Sequence, residues 1–175
     1  MGIGVAGLVA VAASPASATS SANCIKPDSA LGLSAKATCL RPAEQAAVQM
    51  RLVQTDLMVA ALSCNRKSDY NVFAVRYRDE LISGGRTLRA LFARVHGKRA
   101  HSQLNSYITR LANNASMQSL QSNDYCSRMG KLFDGVLAAR PIRFAEFAAR
   151  FSETGDVELA KRSAQQSESA ELIAK

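Results

Sequence analysis

No tryptophan occurs in this chain, it has only two histidines, and no acidic residue falls between Glu80 and Asp124. Nor is there an apolar run near the roughly 18 residues that a membrane-spanning helix needs. A transmembrane segment is therefore not expected. Motifs that would announce chemistry are also missing: there is no C-x-x-C, no H-E-x-x-H, no G-x-S-x-G and no P-loop. Zinc, haem and nucleotide sites lose their usual signatures, and no cofactor is implied. No segment alternates apolar and polar residues long enough to argue a strand. The fold class expected is all-α.

The first charge is missing too. Residues 1–18 hold no ionisable side chain, so an apolar run from Ile3 to Ala13 follows Met1 without a positive flank. The run has the length of a signal-peptide core, and Ala16-Ser17-Ala18 supplies an A-x-A cleavage site. Gly2, Gly4, Gly7 and Pro15 argue against a buried helix of the folded domain. Export to the periplasm follows as an expectation, with cleavage near Ala18; the missing positive flank leaves open whether Met1 is the true start or an internal methionine.

Removing that leader leaves about 157 residues, enough for one domain with its own core. Cys24, Cys39, Cys64 and Cys126 all lie in this part, and an even number in an oxidising compartment favours disulfides. Three pairings are possible. Cys24–Cys39 with Cys64–Cys126 is favoured, because the first closes a short loop and the second joins two predicted helix ends. On a loop-entropy basis these contribute on the order of 3 and 4 kcal/mol.

The formal net charge of +8 is unevenly spread. Arg86, Arg89, Arg94, Lys98, Arg99 and Arg110 occupy the stretch without acids, whereas the tail after Phe151 is rich in Glu and Asp. Such a basic middle could meet anionic lipid, lipopolysaccharide, peptidoglycan or an acidic protein. Nucleic acid is not expected, because the Phe residues of this region sit on a predicted core stripe and are not free to stack on bases.

From Thr19 to Arg41 the chain lacks a sustained period and reads as an irregular lead-in tied by its disulfide. Pro42 then opens a helix at its first turn, where a missing N–H costs nothing. Ala46, Met50, Val53, Leu57, Ala61 and Cys64 mark one face of it, and Val48, Leu52, Val59 and Leu62 another. Apolar on two sides, it is expected to be the central helix. Asp69 is a suitable N-cap for a second helix carrying Phe73, Tyr77 and Leu81, with Gly84-Gly85 as a kink or turn. Leu88, Leu91, Phe92 and Val95 form the next stripe, capped by Gly97. A helix with Leu104, Ile108, Leu111 and Ala115 follows, then one with Cys126, Met129, Phe133, Val136 and Leu137. Asp124 lies favourably near the positive end of the latter. Pro141 opens a last helix with Phe144, Phe147, Ala148 and Phe151. The expected organisation is a leader at 1–18, a lead-in at 19–41, a single-domain, disulfide-stapled bundle of about five to six helices at 42–151, and a polar, flexible tail at 152–175.

Few side chains suggest catalysis. His96 and His101 are five residues apart in a predicted loop, which is not the one-turn spacing of a helical metal pair. Asp56 on the central helix is a candidate general acid, although the polar arcs of that helix predict that it is exposed. Asp79-Glu80 is the other carboxylate pair. The sequon at Asn114-Ala115-Ser116 places Ala115 toward the core.

The stretches Leu40-Arg41-Pro42, Gln54-Thr55-Asp56-Leu57-Met58-Val59-Ala60-Ala61-Leu62-Ser63-Cys64, Tyr107-Ile108-Thr109-Arg110-Leu111-Ala112-Asn113 and Tyr125-Cys126 resemble a group of exported helical proteins of Gram-negative bacteria. That resemblance implies a periplasmic helical protein and supports the Cys64–Cys126 pairing, and implies no activity. The function expected is non-enzymatic binding of a partner protein or an anionic envelope component through the basic face at Arg86, Arg89, Arg94, Lys98 and Arg99. The alternatives are a small envelope hydrolase using Asp56, or Asp79 and Glu80, with a histidine, and a holdase-like chaperone opening the Phe144/Phe147/Phe151 helix.

Overall fold

In a computed structural model of the chain, the described residues are 1, 24–26, 33, 37, 39–138 and 143–154. The expected leader beyond Met1, the expected tail beyond residue 154, Pro141 and most of the lead-in lie outside them, while residues 152–154, expected in the tail, belong to the last helix. Among the described residues there are six α-helices and no named strand. The all-α, disulfide-stapled bundle expected from the periodicity is what the chain forms.

Pro42 stands at the first position of α1 (Pro42–Ser63), and the Glu44 carboxylate accepts the N–H of the capping residue Arg41 at 2.8 Å. No Gly or Pro interrupts the next five turns. Ala47, Val48, Met50, Val53, Leu57, Val59, Ala60 and Ala61 are all buried, and α1 touches each of the other five helices. It is the central helix. Only Leu62 leaves the expected apolar lines, being largely exposed. The helix stops at Asn65, which takes the left-handed conformation (φ 56°), and the Arg66 N–H closes back on the Ala61 carbonyl at 3.1 Å.

A short helix, α2 (Lys67–Arg76), runs into α3 (Arg78–His96) through a break at Tyr77. Asp69 is not the N-cap. It sits in the first turn of α2, paired with the side chain of the capping residue Arg66. The break lets the buried Tyr77 ring enter the core, where its hydroxyl donates to the Val136 carbonyl at 2.8 Å. Gly84 and Gly85 do not form a turn between helices, because α3 passes through them unbroken. Gly84 instead marks a close approach of α1: a Cβ there would lie 3.2 Å from the Met50 methyl. The helix does end at Gly97 (φ 54°), a conformation that glycine adopts without cost.

A single 3-10 turn, Gly97–Arg99, reverses the chain into α4 (Ala100–Gln121). Its buried residues are Tyr107, Leu111 and Ala115, with Leu104 and Ile108 packed beside them. Next, α5 (Tyr125–Val136) brings Cys126 against the end of α1, where it is bonded to Cys64. Cys24 and Cys39 are bonded as well, beside a lone bridge between Ile25 and Leu40. The last helix, α6 (Phe144–Thr154), has its first N–H groups capped from α3: Glu80 accepts from Phe144 at 3.1 Å and from Ala145 at 3.2 Å.

Two apolar clusters share α1. One gathers Phe73, Tyr77, Phe133, Phe144 and Phe147, and the other Leu40, Leu88, Leu91, Phe92 and Tyr107. Phe144 and Phe147 are fully buried, so the aromatic stripe on α6 is core.

Candidate functional site

Helix α3 and the turn after it carry most of the basic residues. Buried Leu88, Leu91 and Phe92 fix the inward face of α3, which turns Arg86 and Arg89 outward. Lys98 and Arg99 follow on the exposed turn, and Arg110 is exposed on α4. None of these five cations is in an ion pair among the described residues. The physical reason is compositional, since α4 has no acid and α3 has acids only in its first turn.

Arg94 departs from this face. Its guanidinium is held by Glu44 of α1, with Nε to Oε1 at 3.0 Å and Nη2 to Oε2 at 2.6 Å, and it also donates to the Cys39 carbonyl at 3.1 Å. Glu44 is 6% exposed. Burial alone would raise its pKa, but the Arg94 guanidinium and the Arg41 N–H outweigh burial and hold the carboxyl below its usual range. Arg94 is thus neutralised locally and ties the end of α3 to the start of α1.

One arginine that the sequence did not single out is Arg51. It lies half-buried on α1 and, with Met50, Gln54, Gly84, Gly85 and Leu88, lines a small recess between α1 and α3 of about 10 Å³, room for about one water. Burial pushes the Arg51 guanidinium down in pKa, the Tyr70 and Tyr107 hydroxyls partly offset this, and the like charge of Arg89 adds to it. The only hint in the sequence is a cation placed on the most apolar helix of the chain.

Asp56 is not exposed. It is half-buried on α1, and loss of water raises its pKa to about 6, with the Arg128 charge opposing. Tyr125, at the start of α5, is within electrostatic reach of it. The Tyr125 hydroxyl is buried without a hydrogen-bond partner among the described residues, and its pKa is pushed up to about 12 by burial and by Asp56. This pair could hold a proton.

The remaining candidates are dispersed. Asp79 is exposed at the start of α3, and Glu80 is occupied in capping α6. His96 ends the same helix, stacked on Phe92 with ring centroids 5.4 Å apart. At about 1.5 Å of rise per residue, Glu80 and His96 stand about 24 Å apart. His101 lies beyond the turn and contacts Asn105 at 3.4 Å. The structure therefore does not bring the acid pair and either histidine together. No group of three or more metal-ligating side chains occurs among the described residues, and no helix is long and apolar enough to cross a membrane.

Comparison with protein-family models, with curated proteins and with solved structures finds no match for this chain.

Proposed function

We propose that this chain is an exported, non-enzymatic periplasmic protein that binds an anionic component of the cell envelope through its basic face. The observation carrying this reading is the set of exposed cations, Arg86, Arg89, Lys98, Arg99 and Arg110, on α3, the turn and α4, that have no ion pair among the described residues. Elsewhere Arg66, Arg94, Arg128 and Arg150 each have a carboxylate, while Arg41, Arg51, Arg76, Arg78 and Arg143 have none among the described residues and are spread over the rest of the bundle. A surface with uncompensated charge of one sign attracts anions at long range. The two disulfides suit an oxidising compartment, and the apolar leader with its A-x-A site supports export.

A hydrolase would need a carboxylate and a histidine in one cleft, and the separation along α3 argues against it. A holdase would need the α6 stripe exposed, and Phe144 and Phe147 are buried.

The test uses the disulfide-bonded chain from Thr19 onward, cosedimented with phosphatidylglycerol or phosphatidylcholine vesicles. Raising salt from about 0.1 M to about 1 M shortens the screening length from about 10 to about 3 Å. Binding is expected only to the anionic vesicles, to fall with salt, and to be lost in an Arg86→Glu/Lys98→Glu/Arg99→Glu variant. Arg94 is left unchanged, because reversing it would break the Glu44 pair. Binding that ignores salt and the reversal would refute the reading, and capture of an acidic protein in place of vesicles would redirect it.

A further inference from the structure

We propose that the outer ridge of α2 and α3 is a lipid-contacting surface, laid along an anionic bilayer with Val72, Val75 and Ile82 inserted below the headgroups and Arg78, Arg86 and Arg89 held at the phosphates. This deepens the basic-face reading above, on which it rests, by naming the anionic component and the side chains that enter it.

Two helices make one ridge because the break between them does not change the register. The Tyr77 N–H still bonds to the Phe73 carbonyl at 3.0 Å, and the Leu81 N–H to the Tyr77 carbonyl at 2.9 Å, so the four-residue pattern runs through Tyr77. At about 3.6 residues per turn, Phe73, Tyr77, Leu88, Leu91 and Phe92 then share one side, and all are buried. Val75, Ile82, Arg86, Arg89 and Ala93 share the opposite side, and all are exposed, with Val72 and Arg78 flanking them. On this ridge Val72 is 49% exposed, Val75 78% and Ile82 46%. Exposed aliphatic residues scattered singly need no explanation, but these three are interleaved with cations along one line. Arg78, Arg86 and Arg89 have no ion pair among the described residues, and Asp79 is the only exposed acid on either helix.

The pattern selects a bilayer. A helix that lies in a membrane interface combines aliphatic groups, which enter the acyl boundary, with Lys or Arg, which meet anionic headgroups. Arginine suits both parts, because its methylene stem lies along apolar groups while its guanidinium reaches phosphate oxygens as a fork. A second copy of this chain would set the same cations against one another, and like charges facing each other oppose contact. An acidic protein would pair with the arginines but leave the aliphatic groups against its own carboxylates. A bilayer offers apolar depth and anionic charge at every point along the ridge.

The absence of tryptophan makes the test direct. In a Val75→Trp variant of the disulfide-bonded chain the introduced indole is the sole one. Phosphatidylglycerol vesicles should shift its emission to the blue and open it to quenching by bromine-labelled acyl chains. Leu120→Trp, at an 82% exposed position on α4 beside the end of α1, should show neither effect. A Val75→Ser/Ile82→Ser variant keeps the net charge and should weaken vesicle binding at least about tenfold, because the aliphatic area that enters the lipid is removed. Circular dichroism confirms that the variants remain helical. Vesicle binding without a blue shift at Val75, or undiminished in the serine variant, overturns the ridge and leaves the basic-face reading standing. An equal shift at Leu120 overturns the ridge as well, since it would mark insertion without a preferred face. Binding no stronger to phosphatidylglycerol than to phosphatidylcholine, or none to either, overturns both readings.

Discussion

Replacing Asp56 with asparagine is expected to stabilise the protein at neutral pH and to change little in acid. In the folded chain the carboxyl has lost much of its water, so its pKa rises from 3.8 to about 6. Between those values the folded state holds a proton that the unfolded state has released. Stability then falls as pH rises, because the unfolded chain binds fewer protons. The favourable contribution of the protonated acid is complete below 3.8 and is lost as pH passes 6. A difference near two pK units, at about 1.36 kcal/mol each, corresponds to about 3 kcal/mol at full titration. A carboxamide at this position has no charge to bury, so the Asp56→Asn variant escapes this loss. Urea denaturation of both proteins from pH 4 to pH 8 is the assay. The stability difference should be small at pH 4 and grow to about 2–3 kcal/mol in favour of the variant by pH 8. A difference that stays flat across this range would refute the desolvation argument, and so would one that favours wild type more strongly at high pH.

Arg94→Gln leaves Glu44 buried without its partner and should cost about 1–3 kcal/mol, discounted for the partial exposure of Arg94. Because Glu44 titrates below its usual 4.5, its stabilisation is present above that pH and fades in acid, so the variant should also show a weaker loss of stability toward low pH. Opening the Cys64–Cys126 bridge, which closes a separation of 62 residues, with a Cys64→Ala/Cys126→Ala double variant should cost about 4 kcal/mol in thermal or chemical denaturation. The two glycines of α3 should behave oppositely. Gly85→Ala gains up to about 1 kcal/mol of helix propensity, whereas Gly84→Leu must displace Met50 of α1 and should cost about 1–3 kcal/mol.

Much of the fold was legible because its signals are local. A proline at a first turn, a glycine after a last one and apolar residues every third or fourth position act within a few residues of themselves, so α1, the end of α3 and the stripe of α6 were foreseen. The site was less legible. Arg86, Arg89, Lys98 and Arg99 were recognisable as cations without nearby acids, but Arg94 looks the same in sequence and is neutralised by a carboxylate 50 positions away. Arg51 attracted no notice, because only the packing of the other helices around α1 makes it half-buried. Gly84-Gly85 read as a kink or a turn since glycine is a poor helix former, and only the Met50 methyl against Gly84 explains why an unbroken helix keeps a glycine there.

The sequence by itself determined the helical class, the identity of the central helix, the basic stretch and a sound disulfide pairing. These depend on backbone preference, periodicity and composition, all of which act along the chain. Only the tertiary structure decided which charges are neutralised and which carboxyl loses its water. Ion pairing and desolvation depend on what lies within a few ångströms in space, and the helices that supply those neighbours are dozens of residues apart in the chain.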